Sequence, residues 1–329
     1  MARRLPEATS HGVEAQILLG CARAHLEPGT RERIARLVGG APDWSALIEL
    51  ADSHALLPLL YRHLNEVAPA SVPQRAMIEL WGRHEVTARR NRSMAGELVE
   101  IVDALDANGV VSLPYKGPAL AVQLYADLAL REFCDLDILV RARDVASAKE
   151  ILRGLGYLPE YPLEPVVEAA FLHAPSQYHL VLARPGGTMV ELHWKTDADF
   201  PIERGDDDGW WAGLERARFG DRMLRAFGAS ELLLVLCLHG SKHGWGRLAW
   251  LADVGRSSAG TATSSGIGFS PARKASVACA AWPLDFTWRM SSSTRQCPRQ
   301  SKEGWRITRV SRSSRPASND RCSCAIPRP

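Results

Sequence analysis

Two aspartates separated by one residue are the most informative feature of this 329-residue chain. Asp135 and Asp137 open the segment Asp-Leu-Asp-Ile-Leu-Val, whose other residues are apolar. In a β-strand, residues two apart point to the same face, so the two carboxylates lie side by side at the start of the strand. Two such charges about 4 Å apart repel by roughly 1 kcal/mol in water and about 4 kcal/mol at an effective dielectric constant of 20. A divalent cation removes this repulsion, and Mg²⁺ favours such oxygen ligands together with substrate phosphates.

A third carboxylate stands in a second predicted strand. Glu191 and His193 alternate there with apolar residues, so they share one face of the strand. If this strand lies beside the one that carries Asp135 and Asp137, the three acids can hold two metal ions. Two metal ions activate an attacking hydroxyl and stabilise a departing pyrophosphate.

A basic turn upstream of the acids is suited to holding phosphates. Lys116 and Gly117 follow a short apolar segment and precede a helical one. The turn therefore offers an ammonium group, a close approach to the backbone and a helix N-terminus, all of which favour phosphate. Arg131 is a second candidate for phosphate contact.

The elements that must position these side chains follow from the spacing of apolar residues. Apolar residues recur at helical spacing up to residue 100, and after it segments with strand periodicity alternate with segments of helical periodicity. The pattern predicts an α+β fold, with a small mixed β-sheet flanked by helical N- and C-terminal regions and a disordered tail. The predicted strands cover 110–115, 136–140, 178–182 and 188–194. The predicted domains are a helical N-terminal region at 1–100, a catalytic core at 101–200, a helical C-terminal region at 201–254 and a basic, low-order tail at 255–329.

The net charge of +3 hides a break near Val254. From residue 255 onward the chain has 13 Lys and Arg but 3 acids, a net charge of +10, and the preceding residues carry −7. The last 75 residues contain 15 Ser but only 8 Leu, Ile, Val and Phe together, too few for a packed core. This abrupt change is typical of a GC-rich gene read out of frame, and we hypothesise a frameshifted tail after Val254. Sequencing the gene across codons 250 to 260 tests the hypothesis.

Several motifs together resemble the uncharacterised nucleotidyltransferase family of bacteria, within the DNA polymerase beta-like superfamily. The resemblance covers roughly residues 43–254 and rests on Lys116-Gly117-Pro-Ala-Leu120, Leu124-Tyr125, Arg131, Asp135-Leu-Asp137-Ile-Leu-Val140, Glu191-Leu-His193-Trp194 and His239-Gly-Ser-Lys-His243-Gly-Trp245. It implies a nucleotidyltransferase core in which Asp135 and Asp137 are metal ligands. It also implies that Glu191 stands where the superfamily has its third acid.

Other classes of protein are disfavoured. The seven cysteines show no paired spacing, which argues against a disulfide framework or a zinc ribbon. The longest strongly apolar run is 232–238, far short of the roughly 20 residues that a membrane span needs. A cytoplasmic protein is therefore expected.

His239 and His243 are one helical turn apart, but Gly240 stands where a zinc protease needs glutamate. We therefore expect the two histidines to have structural roles near the rim of the site.

The predicted reaction is Mg²⁺-dependent transfer of a nucleoside monophosphate from an NTP to the hydroxyl of an unknown acceptor, with two Mg²⁺ ions. Asp135, Asp137 and Glu191 hold the ions, and Lys116, Gly117 and Arg131 hold the triphosphate. The alternative is a degenerate, non-catalytic module that binds a nucleotide or a protein. Nucleic-acid binding through the basic tail ranks third, because the tail lacks interleaved aromatic residues and any recognisable module. The sequence does not indicate an oligomeric state.

Overall fold

A computed structural model of the chain describes residues 12–198, 200–202 and 206–263. The α-helices are α1 Val13–Cys21, α2 Pro28–Gly39, α3 Trp44–Ser53, α4 Leu57–Val67, α5 Gln74–Ala107, α6 Gly117–Tyr125, α7 Val145–Gly154, α8 Pro165–His173, α9 Asp208–Ala212, α10 Ala229–Lys242 and α11 Leu248–Thr263. The strands are β1 Ser112–Pro114, β2 Asp135–Val140, β3 Leu158–Pro159, β4 His179–Ala183, β5 Met189–His193, β6 Glu215–Phe219 and β7 Arg222–Ala226.

The main sheet has five strands in the order β1-β2-β5-β4-β3. The central pair, β2 and β5, is parallel, whereas β1, β4 and β3 join their neighbours in antiparallel fashion. From Leu136 to Val140 every residue of β2 is buried, as expected for a strand covered on both faces. The acids at the start of β2 therefore belong to a strand whose position is set by a packed core.

The long helix α5 joins two hydrophobic clusters. Its 34 residues span about 50 Å at 1.5 Å per residue. Ala76 and Leu80 near its start pack with the N-terminal helices and with residues of α10 and α11. Leu98 and Ile101 in its second half pack against the sheet and α7. This helix connects the N-terminal helical region to the sheet that carries the acids.

The structure confirms the predicted α+β fold with its mixed sheet and flanking helices. The region 201–254 also contains the hairpin of β6 and β7, where the sequence predicts helix. The strands alternate exposed charged residues with buried Phe219, Leu224 and Ala226. Gly220, at φ +59°, forms the tight turn between them. The hairpin escapes prediction because arginine is common in helices and the alternating apolar signal is short.

Helix α11 runs through Val254 and ends at Thr263, so the predicted boundary between domain and tail falls inside a helix. Two glycines in this stretch weaken its intrinsic helix propensity, but tertiary contacts hold it. The Nε of Arg256 donates to the carbonyl of Leu124 in α6 at 2.8 Å, and Ser257 is buried. From residue 264 onward, the tail that is predicted to be disordered and frameshifted lies outside the residues that the structure describes.

In the described part of the chain, none of the helices combines the length and apolar character that crossing a membrane would require.

Candidate active site

The parallel pairing of β2 and β5 brings the predicted acids together. In this register Asp137 lies opposite Glu191, and Asp135 lies opposite Met189. Neighbouring strands are about 4.8 Å apart, so side chains on the same face of paired residues meet. Only 1% of the Asp137 side chain is exposed, and 16% of the Glu191 side chain. Two carboxylates from distant parts of the sequence thus share a nearly water-free site.

His193 completes this pair as a third group. Its Nε2 lies 3.2 Å from Oδ1 of Asp137 and 3.2 Å from Oε2 of Glu191. The ligand atoms of the three side chains all lie within 4.8 Å of one another, and Asp135 is outside this group. The sequence places His193 on the same face as Glu191 but indicates no role for it. The Glu-x-His spacing was the available signal, and it gains meaning only with the strand register.

The turn at Lys116 and Gly117 lies directly against the acids. The Lys116 Nζ forms an ion pair with Oδ1 of Asp137. Gly117 begins α6 at φ +52°, and a Cβ placed there would lie 2.8 Å from the backbone oxygen of Asp135. Real Cβ atoms essentially never come that close, so only glycine allows the turn to approach β2 in this way. The backbone N–H of Tyr115 also donates to the carbonyl of Asp137, at 3.3 Å.

The charges in the site are tightly balanced. Burial alone would raise the pKa of Asp137, but the Lys116 ammonium and the His193 imidazole lower it below its usual range. Burial opposes the charge of Lys116, yet the carboxylate of Asp137 keeps the pKa of that ammonium above its usual value. Asp135 behaves differently, because burial and the neighbouring Asp137 raise its pKa to about 7. The site therefore holds one firmly ionised carboxylate beside one that protonates near neutrality.

Comparison with known proteins identifies the family. A family model described as uncharacterised nucleotidyltransferase matches residues 40–264, well over half of the chain. The chain belongs to this nucleotidyltransferase family. No curated protein matches it significantly. It is similar to the solution structure of the antibiotic-resistance factor ANT(2'')-Ia at 13% identity, covering 50% of this chain and 83% of that one. The TM-score of 0.36 is too low for function to be transferred from that protein.

In this nucleotidyltransferase family member, Arg131 lies in a second buried cluster. The Arg131 Nε contacts Oδ2 of Asp253 at 3.1 Å, and the hydroxyl of Tyr125 donates to Oδ1 of the same carboxylate at 2.8 Å. Asp253, in α11, is 1% exposed. The sequence gives no sign of these two partners of Asp253, which lie 122 and 128 residues away. The cluster ties α11 to the C-terminal end of α6.

We expect Asp253→Asn to lower the free energy of unfolding by about 3–5 kcal/mol, because it leaves the buried Arg131 guanidinium without its anion. Tyr125→Phe removes a single hydrogen bond to that carboxylate and is expected to cost about 2 kcal/mol. Urea unfolding of the two variants and the wild type gives both values. A loss smaller for Asp253→Asn than for Tyr125→Phe would contradict the assignment of Asp253 as the main partner of Arg131.

Two histidines of the nucleotidyltransferase, His239 in α10 and His243 directly after it, contact each other at the end of this helix. The rings of His239 and His243 lie 4.7 Å apart, and His239 also packs edge-on against Trp250 at 5.4 Å. Burial, together with the nearby charge of Lys116, lowers the pKa of His239 to about 3. The charge of Lys116 also acts on His243, although burial is the larger cause of its lowered pKa. Both histidines are therefore neutral at physiological pH, and both are close enough to the site to sense the charge of Lys116.

The lowered pKa of His239 predicts acid sensitivity of the fold. The unfolded chain takes up a proton at this histidine near pH 6.5, whereas the folded chain does so only near pH 3. The unfolded state thus binds more protons between these values, and the free energy of unfolding falls as the pH drops. From pH 7 to pH 5 the loss from this group is about 2 kcal/mol. Urea unfolding at both pH values should show a smaller loss for His239→Gln than for the wild type, and equal losses would refute the prediction.

Proposed function

We propose that this chain transfers a nucleoside monophosphate from an NTP to an acceptor hydroxyl, with Asp135, Asp137 and Glu191 as its metal-binding acids. The observation that carries the proposal is the in-register pairing of Asp137 with Glu191, next to a lysine on a glycine turn. Membership of a nucleotidyltransferase family supports the same activity.

The donor set fits a divalent cation. Two carboxylates face each other in a nearly water-free site, and Asp137 already attracts the two cationic or proton-donating groups nearest to it, Lys116 and His193. Buried carboxylates need such partners because isolated buried charges are costly. Together with Asp135, the acids offer enough oxygen atoms for the two Mg²⁺ ions that we propose. Bound Mg²⁺ would lower the pKa of the acceptor hydroxyl and stabilise the negative charge of the departing pyrophosphate.

The remaining groups hold the triphosphate. The Lys116 ammonium, now paired with Asp137, would turn to the phosphates when a metal ion neutralises that carboxylate. Gly117 lets the turn lie close to β2, and we propose that the N-terminus of α6 offers the phosphates N–H groups and a favourable dipole. The charge of Arg131 acts on Asp135 and Asp137, and we propose it as a second phosphate contact through the guanidinium nitrogens other than Nε.

The reaction follows from this placement. The acceptor oxygen bonds to the α-phosphorus, the bond from the α-phosphorus to the bridging oxygen breaks, and pyrophosphate leaves. The acceptor hydroxyl gives up its proton to water in the same reaction. In-line placement of the two oxygens and stabilisation of charge are the main requirements of phosphoryl transfer. The partners are therefore an NTP and an acceptor with a free hydroxyl.

The test has two steps, both with the full chain. Isothermal titration with Mg-ATP measures nucleotide binding, and α-labelled NTPs then report transfer of label to candidate acceptors from a bacterial extract. We expect binding in the first step and an Mg²⁺-dependent labelled acceptor in the second. Binding without transfer would instead support the alternative of a non-catalytic nucleotide-binding module, and absence of binding would contradict both.

A further inference from the structure

The cluster of ligand atoms contains a nitrogen as well as two carboxylates. We propose that His193 is itself a ligand of the metal ion, together with Asp137 and Glu191, and that this site consequently binds Mn²⁺ in preference to Mg²⁺. The inference rests on the proposed function, since it concerns the same metal site, and it assigns to His193 a role that the acid motif does not include.

The distances around His193 are compatible with metal ligation as well as with hydrogen bonding. Its Nε2 lies 3.2 Å from an oxygen of each carboxylate. A single N–H group cannot point along both directions, and both distances exceed the usual N–H···O separation of about 2.9–3.0 Å. By contrast, two ligands at right angles around an ion about 2.1 Å away lie about 3 Å apart. The nitrogen is therefore at a ligand-to-ligand distance from each oxygen, and the ligand atoms of the three side chains all lie within 4.8 Å of one another.

The imidazole ring is fixed with Nε2 facing the carboxylates. Only 2% of the His193 side chain is exposed. One face stacks on the ring of His179 at 5.1 Å, and the ring of Tyr115 meets it edge-on at 5.3 Å. Nδ1 of His193 has no hydrogen-bond partner among the residues that the structure describes. No competing interaction in that part of the chain thus turns Nε2 away from the acids.

The donor chemistry determines which ion is preferred. Mg²⁺ favours oxygen ligands and keeps several of its waters. Imidazole nitrogen suits transition metals, and carboxylates are also good ligands for Mn²⁺. Two carboxylates with one imidazole therefore favour Mn²⁺ over Mg²⁺. A site made of three carboxylates alone, which suit both ions, would carry a weaker preference.

Electron spin echo spectroscopy of the full chain with Mn²⁺ alone tests the proposal without any enzymatic reaction. We expect the wild type to show nitrogen hyperfine coupling from one imidazole on bound Mn²⁺. His193→Gln should lose the coupling and bind Mn²⁺ at least about tenfold more weakly, with Mg²⁺ affinity changed by less than about threefold. The matched control is His179→Gln, which removes the neighbouring half-buried imidazole and should retain the coupling.

The outcomes separate this inference from the proposed function. If wild-type Mn²⁺ binds without nitrogen coupling, and Asp137→Asn abolishes that binding, the carboxylate site stands and His193 is not a ligand. Coupling that persists in His193→Gln also overturns the inference. If Asp137→Asn leaves Mn²⁺ binding unchanged, the proposed metal site itself is wrong.

Discussion

Asp137→Asn is expected to reduce nucleotidyl transfer by at least about a thousand-fold, which corresponds to about 4 kcal/mol of transition-state stabilisation. The asparagine keeps the volume of the side chain but removes the charge that pairs with Lys116 and contacts His193. A bound metal ion supplies several kcal/mol to transfer reactions of this kind, and the variant removes one of the ligands that we propose for it. Initial rates of label transfer from an α-labelled NTP measure the effect.

The control for this variant is Asp103→Asn. Asp103 forms an ion pair with Arg222 on the surface, where its side chain is 45% exposed. Exposed ion pairs contribute at most about 1 kcal/mol to stability, so this variant should keep the wild-type rate. Circular dichroism of both variants establishes that each retains the fold. A folded Asp137→Asn variant with more than a tenth of the wild-type rate would contradict the assignment of Asp137 as a metal ligand.

Gly117→Ala is expected to have the second largest effect, because it is strained for two independent reasons. The residue has φ +52°, which costs an L-amino acid roughly 1–2 kcal/mol. The added Cβ would also lie 2.8 Å from the backbone oxygen of Asp135, so the turn at Lys116 and Gly117 must move away from β2. We expect a loss of about 3 kcal/mol or more in the free energy of unfolding, since strain and overpacking add. We also expect weaker binding of NTP, because Lys116 moves with the turn.

Gly109→Ala separates the two causes. Gly109 has φ +73°, but a Cβ there would meet no atom within 4 Å. This control carries the backbone strain without the steric clash, so it should cost only roughly 1–2 kcal/mol and leave NTP binding unchanged. Urea unfolding and titration with NTP compare the two variants. Equal losses of stability and binding would show that the close approach of Gly117 to β2 has no special importance.

The strands of the site could be predicted because their patterns are local. Asp135 and Asp137 sit on a two-residue period, and so do Glu191 and His193, which suffices to place each pair on one face of a strand. The two pairs of side chains come together only because β2 and β5 are neighbours in the sheet. From the sequence, the pairing of these two strands is only an assumption, because strand order depends on the packing of the whole sheet.

Long-range partners were beyond prediction. Arg131 was expected to meet phosphate, and its contact with Asp253 joins residues 122 positions apart with no motif between them. His193 carries no separate signal either, since its contact with Asp137 depends on the register of two parallel strands. The extent of α11 past Val254 was missed for a related reason. Its last turns are held by contacts such as that of Arg256 with Leu124, which override weak helix propensity.

The most direct test of the central claim compares two positions of the label in one NTP. The full chain is incubated with divalent metal, an acceptor pool and NTP labelled at either the α- or the γ-phosphate. The account predicts that α-label is attached to the acceptor, that γ-label is released as pyrophosphate, and that Asp137→Asn abolishes both. Transfer of the γ-label to an acceptor, or α-label transfer that persists in Asp137→Asn, would contradict it.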